Sequence, residues 1–126
     1  MIKNISIKIW DRDFSLNVDY NCYPGEKVTA KQEEMVYMLM KHHEWFDKAK
    51  KKVVDYCKDK VNEDESNQKK GNVFSYLKPE YIFVKHDDSN STIAIMFKYR
   101  YEPEHGLAVV FDENGNIKIG IQDIIL

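Results

Sequence analysis

A chain of 126 residues with 43% apolar and 13% aromatic content carries enough hydrophobic matter for one ordinary core, and too much for a disordered polymer. Nineteen basic against 21 acidic residues leave a net charge of −2, so no general attraction to nucleic acid or to an anionic membrane is expected. Arg12 and Arg100 are the only arginines, and that scarcity of bidentate, stacking side chains argues further against nucleic acid as a partner.

One domain spanning 1–126 is expected. Apolar and polar residues alternate from Met1 to Ile9, and no apolar run approaches the roughly 18 residues of a membrane span. A cytoplasmic protein is therefore expected, with Cys22 and Cys57 as two separate buried thiols.

Ile5, Ile7 and Ile9 predict a first strand, Asp11-Arg12-Asp13 a turn, and Phe14, Leu16, Val18 and Tyr20 a second strand alternating with Ser15, Asn17 and Asp19. Pro24-Gly25 ends this hairpin. Thr29 followed by Gln32 has the spacing of a capping box and opens a helical segment without Gly or Pro as far as Val61. Its apolar stripe steps through Met35, Leu39, His42, Phe46, Ala49, Val53, Cys57 and Val61. As one helix it would reach about 50 Å, far beyond strands of about 20 Å. Two helices broken near His43-Glu44 are expected. Val36, Tyr37, Met38, Met40 and Trp45 widen the apolar arc of the first, which should be the more deeply buried.

Residues 62–72 read as a polar loop and Val73–Leu77 as a short helical turn. Four strands follow: Tyr81 to His86, Thr92 to Tyr101, Leu107 to Phe111 and Ile117 to Ile121, with Asn114-Gly115 as a hairpin signal. The expected fold is α+β: an antiparallel sheet of about six strands in the order β-β-α-α-β-β-β-β, two helices packed on one face, and no β-α-β crossover.

Glu102, Glu104 and His105 form the densest group of acid and imidazole side chains, with Asp123 near enough in the pattern to join them. Such groups bind metals or move protons. Neighbouring strand residues point to opposite faces, however, so Glu104 and His105 are ill placed to share an ion, and Pro103 and Gly106 read as turn formers. His42-His43-Glu44 lacks the second histidine of a helical zinc motif. His86-Asp87-Asp88 reads as turn chemistry, and Lys48–Lys52 as a solvated helix face on which Asp47 can pair with Lys51 and Asp55 lies one turn from Lys51 and Lys52. Tyr23, Tyr76 and Tyr101, near loops, are the aromatics expected at the surface. No catalytic set, cofactor or metal site is assigned.

Tyr101-Glu-Pro-Glu-His-Gly-Leu-Ala-Val-Val-Phe, with Ile119-Gly-Ile-Gln-Asp123 and Gly25-Glu-Lys-Val-Thr-Ala-Lys-Gln32, resembles an uncharacterised family of small bacterial proteins. Its members run an acidic aromatic stretch into E-H-G-L-x-V and close with a hairpin ending G-x-x-D. This chain departs from them in having Tyr-Glu-Pro where they often have Trp-Asp-Glu. Small proteins of this kind are similar to immunity proteins, which bind and neutralise a toxin domain.

The leading expectation is a non-enzymatic protein-binding module. Residues 80–126 hold four Lys/Arg against eight Asp/Glu, a balance of −4 that suits a basic toxin domain. Glu102, Glu104, His105, Asp112 and Glu113 are the expected contacts. A metal-dependent hydrolase or small-molecule enzyme centred on His105 is a second reading. A structural homodimer built on an exposed sheet edge or face is a third.

Overall fold

The computed structural model describes residues 2–22, 25–63, 77–85 and 92–125. The strands are β1 (Asn4–Ile9), β2 (Arg12–Tyr20), β3 (Leu77–Val84), β4 (Thr92–Tyr99), β5 (Leu107–Asp112) and β6 (Ile117–Gly120). Helices α1 (Ala30–Lys41) and α2 (Glu44–Glu63) lie between β2 and β3, and a 3-10 turn, Gln122–Ile124, follows β6. All six strands form one sheet in sequence order, β1-β2-β3-β4-β5-β6. The fold is α+β, as the alternation and the capping box indicate.

One pairing departs from the expected all-antiparallel sheet. β2 and β3 run parallel, with Asn17 opposite Tyr81 and Tyr20 opposite Val84, while the other four pairs are antiparallel. The expectation of no crossover is thus corrected. Parallel neighbours require a long connection, and the α1–α2 pair supplies it. The strands legible from alternation said nothing about the direction in which the chain re-enters the sheet.

Both hairpin ends are set by local chemistry. β1 and β2 are joined by a two-residue loop in which Trp10 (φ 49°) and Asp11 (φ 71°) are both left-handed, one residue earlier than the expected turn. The large apolar ring dictates the position: Trp10 is buried, stacks on Phe97 at 5.5 Å between ring centroids, and donates its indole N–H to the Phe46 carbonyl at 2.8 Å. β5 and β6 close around Gly115 (φ 81°), whose N–H donates to the Asp112 carbonyl at 3.0 Å. A Cβ at Gly115 would come within 2.6 Å of Trp45 Nε1, so this loop sits directly on α2.

Thr29 and Gln32 form the full capping box: Gln32 N–H donates to Thr29 Oγ1 at 3.1 Å, and Thr29 N–H to Gln32 Oε1 at 2.9 Å. The helical stretch breaks at His42–His43. His42 is half-buried, stacked on Trp45 and bonded through Nδ1 to Glu44 at 2.7 Å. The wide apolar arc expected of α1 is only partly buried. α1 buries Gln32, Met35, Val36 and Leu39, but Tyr37 is 59% and Met40 37% exposed. α2 buries Trp45, Phe46, Ala49, Val53 and Cys57. A helix laid on a sheet can bury only one stripe, and the far side of α1 has nothing above it among the described residues.

The main core lies between the helices and the inner sheet face, where Ile5, Ile9, Leu16, Ile82, Ile95, Phe97, Leu107 and Phe111 meet α1 and α2. The outer face is divided. On β1 and β2 it is polar, with Asn4, Ser15 and Asn17 joined by side-chain hydrogen bonds of 2.8 and 3.1 Å. On β3 to β5 it carries a second apolar cluster: Phe83, Ala94, Met96, Ala108 and Val110, with Ile125 from beyond the last strand. Among the described residues, no helix is long and apolar enough to cross a membrane.

Candidate functional site

The expected contact residues fall at opposite ends of β5. Glu102, Glu104 and His105 occupy the turn before it, Asp112 is its last residue and Glu113 follows it. A six-residue strand separates the two sets by about 20 Å.

The turn at 99–106 is tied down by backbone hydrogen bonds, two within it and one from Gln122. Glu102 N–H donates to the Tyr99 carbonyl at 3.1 Å, Gly106 N–H to the Glu102 carbonyl at 2.8 Å, and Gln122 N–H to the His105 carbonyl at 3.0 Å. Tyr101 is half-buried and packs edge-on against Tyr99, with the Arg100 guanidinium 5.9 Å from its ring centroid. Gly106 (φ 59°) admits no side chain: a Cβ there would lie 2.6 Å from both Gln122 Nε2 and the Phe97 carbonyl oxygen. Glu104 and His105 are left exposed, while Glu102 is half-buried. Asp123 is exposed on the 3-10 turn. Among the described residues, no three His, Cys, Asp or Glu side chains converge as metal ligands would.

Asp112 is a hairpin residue. Its carboxylate accepts from the N–H groups of Asn114 (2.8 Å) and Asn116 (2.9 Å) and from the Asn116 side-chain amide (2.9 Å). Partial burial pushes its pKa up, but the Asn116 side chain and the loop N–H groups outweigh this and hold it below the ordinary aspartate value. Glu113 forms an exposed ion pair with Lys31 of α1 at 3.3 Å.

A cleft of about 640 Å³ opens beside the acidic turn on the outer face. Its lining includes Lys78, Glu80, Lys98, Arg100, Glu104 and Gln122. Gln122 is held by an Nε2–H bond to the Phe97 carbonyl at 3.1 Å. Of these six side chains, only Glu104 is among the contacts expected from the sequence. Lys98 and Arg100 could have been found, because alternation opposite Phe97 and Tyr99 places both on the outer face. Lys78 was hidden by Pro79, which argues against a strand. The ladder does shift there: Pro79 opposes Phe97 and Tyr81 opposes Met96, leaving Glu80 as the extra residue.

The other sequence candidates are placed as follows. Lys48, Lys50, Lys51 and Lys52 lie exposed on α2, without the expected Asp47–Lys51 ion pair. Cys22 is half-buried and Cys57 buried, both as free thiols. Burial raises the Cys57 pKa, a hydrogen bond with Tyr99 partly offsetting it. Among the described residues, the exposed large apolar side chains are Tyr37, Met40 and Tyr56. Tyr23, Tyr76, the turn at 86–91 and the loop from 64 to 72 lie outside the described residues.

The architecture is thus a six-stranded mixed sheet with a helical pair on its inner face and a charged cleft on its outer face. The chain belongs to the family described as a domain of unknown function, DUF6985, whose model matches residues 1–126. No curated protein matches it. No solved structure matches it either.

Proposed function

We propose that the protein is a non-enzymatic binding module that recognises a partner protein through the end of the sheet carrying Glu102, Glu104 and His105, in the manner of an immunity protein covering a basic toxin domain. The observation that carries this reading is the turn itself. Three backbone hydrogen bonds hold it, and it presents acidic groups beside an open cleft. A surface ordered before binding loses little conformational freedom on association. Exposed carboxylates at a rim chiefly accelerate encounter with a cationic partner.

Asp112 and Glu113 take part as a second contact region. A standard interface covers about 800 Å² per partner, roughly 30 Å across, and that reaches both ends of β5.

The test is co-purification with the product of the neighbouring gene, followed by binding kinetics for the Glu102→Lys/Glu104→Lys double variant. Association with the wild-type protein should slow as salt is raised. The double variant should bind about tenfold or more weakly, mostly through a slower association rate. A neighbour that is neither toxic nor bound, or an affinity indifferent to both reversals, contradicts the proposal.

A further inference from the structure

The β3–β4 wall of the cleft carries two like charges face to face. Lys78 and Lys98 are register partners on adjacent antiparallel strands. Side chains so placed have Cβ atoms about 5 Å apart, and like charges there repel. Both lysines are exposed and both line the cleft. Arg100, two residues beyond Lys98 on the same face, lines it as well, its guanidinium placed over the Tyr101 ring.

Glu80 and Glu104 share the lining, yet among the described residues neither lies within ion-pair distance of Lys78 or Lys98. Among the described residues, therefore, no direct contact cancels the repulsion between the lysines. A bound anion would cancel it, and the space is suitable: small-molecule sites occupy about 300–1,000 Å³. Elsewhere in the lining, the Gln122 side chain is bonded to the Phe97 carbonyl beside Gly106.

We propose that this cleft binds a small doubly charged oxyanion, bridged between the ammonium groups of Lys78 and Lys98, with Arg100 at its edge. A phosphate monoester and a dicarboxylate share the required chemistry, two anionic oxygen groups that accept charge-assisted hydrogen bonds. Glu80 and Glu104 limit the size of the charge. A polyanion extending past the lysines meets both carboxylates, so nucleic acid is a poor fit. The inference does not rest on the partner-protein reading.

The test is a titration of the purified protein with inorganic phosphate and, separately, with succinate, at constant ionic strength set by sodium chloride. Amide chemical shifts and thermal midpoint are followed together. One arm should give saturable shifts centred on Lys78, Lys98, Arg100 and Gln122, with a rise in midpoint. Saturation by phosphate alone assigns a phosphate-class ligand, and by succinate alone a dicarboxylate.

Lys98→Gln and Lys78→Gln should each weaken binding about tenfold or more while leaving the ligand-free midpoint equal or higher, because each removes the repulsion. That sign separates lost binding from lost folding. Shifts that match sodium chloride alone in both arms overturn the proposal. So does an affinity unchanged in both lysine variants.

Discussion

Trp10 concentrates the local tension of this chain in one residue. A left-handed backbone costs an L-residue roughly 1–2 kcal/mol, and tryptophan has no short polar side chain to ease it. The ring recovers more than that through burial, its stack on Phe97 and its hydrogen bond to the Phe46 carbonyl. Two truncations separate the effects. Trp10→Ala should destabilise by about 3–5 kcal/mol, since it loses the ring and keeps the strain. Trp10→Gly should be less damaging by about 1 kcal/mol, the reverse of the usual order of these two residues. Urea denaturation of both variants measures the gap, and a glycine variant less stable than the alanine one would show that the turn holds no strain. Asp11-Arg12-Asp13 has the composition of a turn, which sets the expected turn one residue late. The position was decided instead by where the tryptophan could be buried, a tertiary fact that local composition does not carry.

Among the elements, the β5–β6 hairpin was legible almost completely, and for a local reason. Asn114-Gly115 announces a loop needing positive φ, and apolar runs flank it. Asp112 is an expected partner contact, and its three hydrogen bonds give it a structural role as well. Because its pKa is lower in the folded chain than in the unfolded one, its contribution is complete above the unfolded value, about 3.9. That contribution fades as pH falls through the lower folded value. Asp112→Ala should therefore cost about 1 kcal/mol near neutrality, and its stability deficit against wild type should shrink steadily from pH 5 to pH 2. A deficit independent of pH would mean that the carboxylate charge plays no part in closing the hairpin. The helices were less fully read. Period and capping located α1 and the break before Glu44, but apolar content overstated how much of α1 is buried. Tyr37 and Met40 fit the helical arc by composition and lie outside the single stripe that a sheet can cover.

At the scale of the whole molecule, the feature no local pattern revealed is the parallel pairing of β2 and β3, and one buried side chain bridges the ends of the two strands. Gln32 is only 3% exposed and lies at the start of α1, where the crossover leaves the sheet. Its Nε2 donates to the Asn21 carbonyl at 2.8 Å and to the Val84 carbonyl at 3.2 Å, while Asn21 N–H donates to that same Val84 oxygen at 2.9 Å. The end of β2, the end of β3 and the first turn of α1 are thereby joined at a single carbonyl. The capping box identified Gln32 by spacing and could show only half of its role, since its amide donors act across 52 residues of sequence. Two substitutions distinguish a cap from a pin. Gln32→Ala should destabilise by about 2–3 kcal/mol, by removing the reciprocal cap and leaving buried carbonyl groups short of donors. Gln32→Glu preserves an acceptor for the Thr29 N–H and suits the first turn of a helix, so a simple cap predicts near-wild-type stability. A pin predicts a loss at neutral pH at least as large as that of alanine, because a carboxylate then faces two carbonyl oxygens in a buried site. Thermal unfolding of the two variants decides between these. A glutamate variant as stable as wild type would mean that the crossover is held by packing of α1 and α2 on the sheet, with Gln32 acting only at its helix.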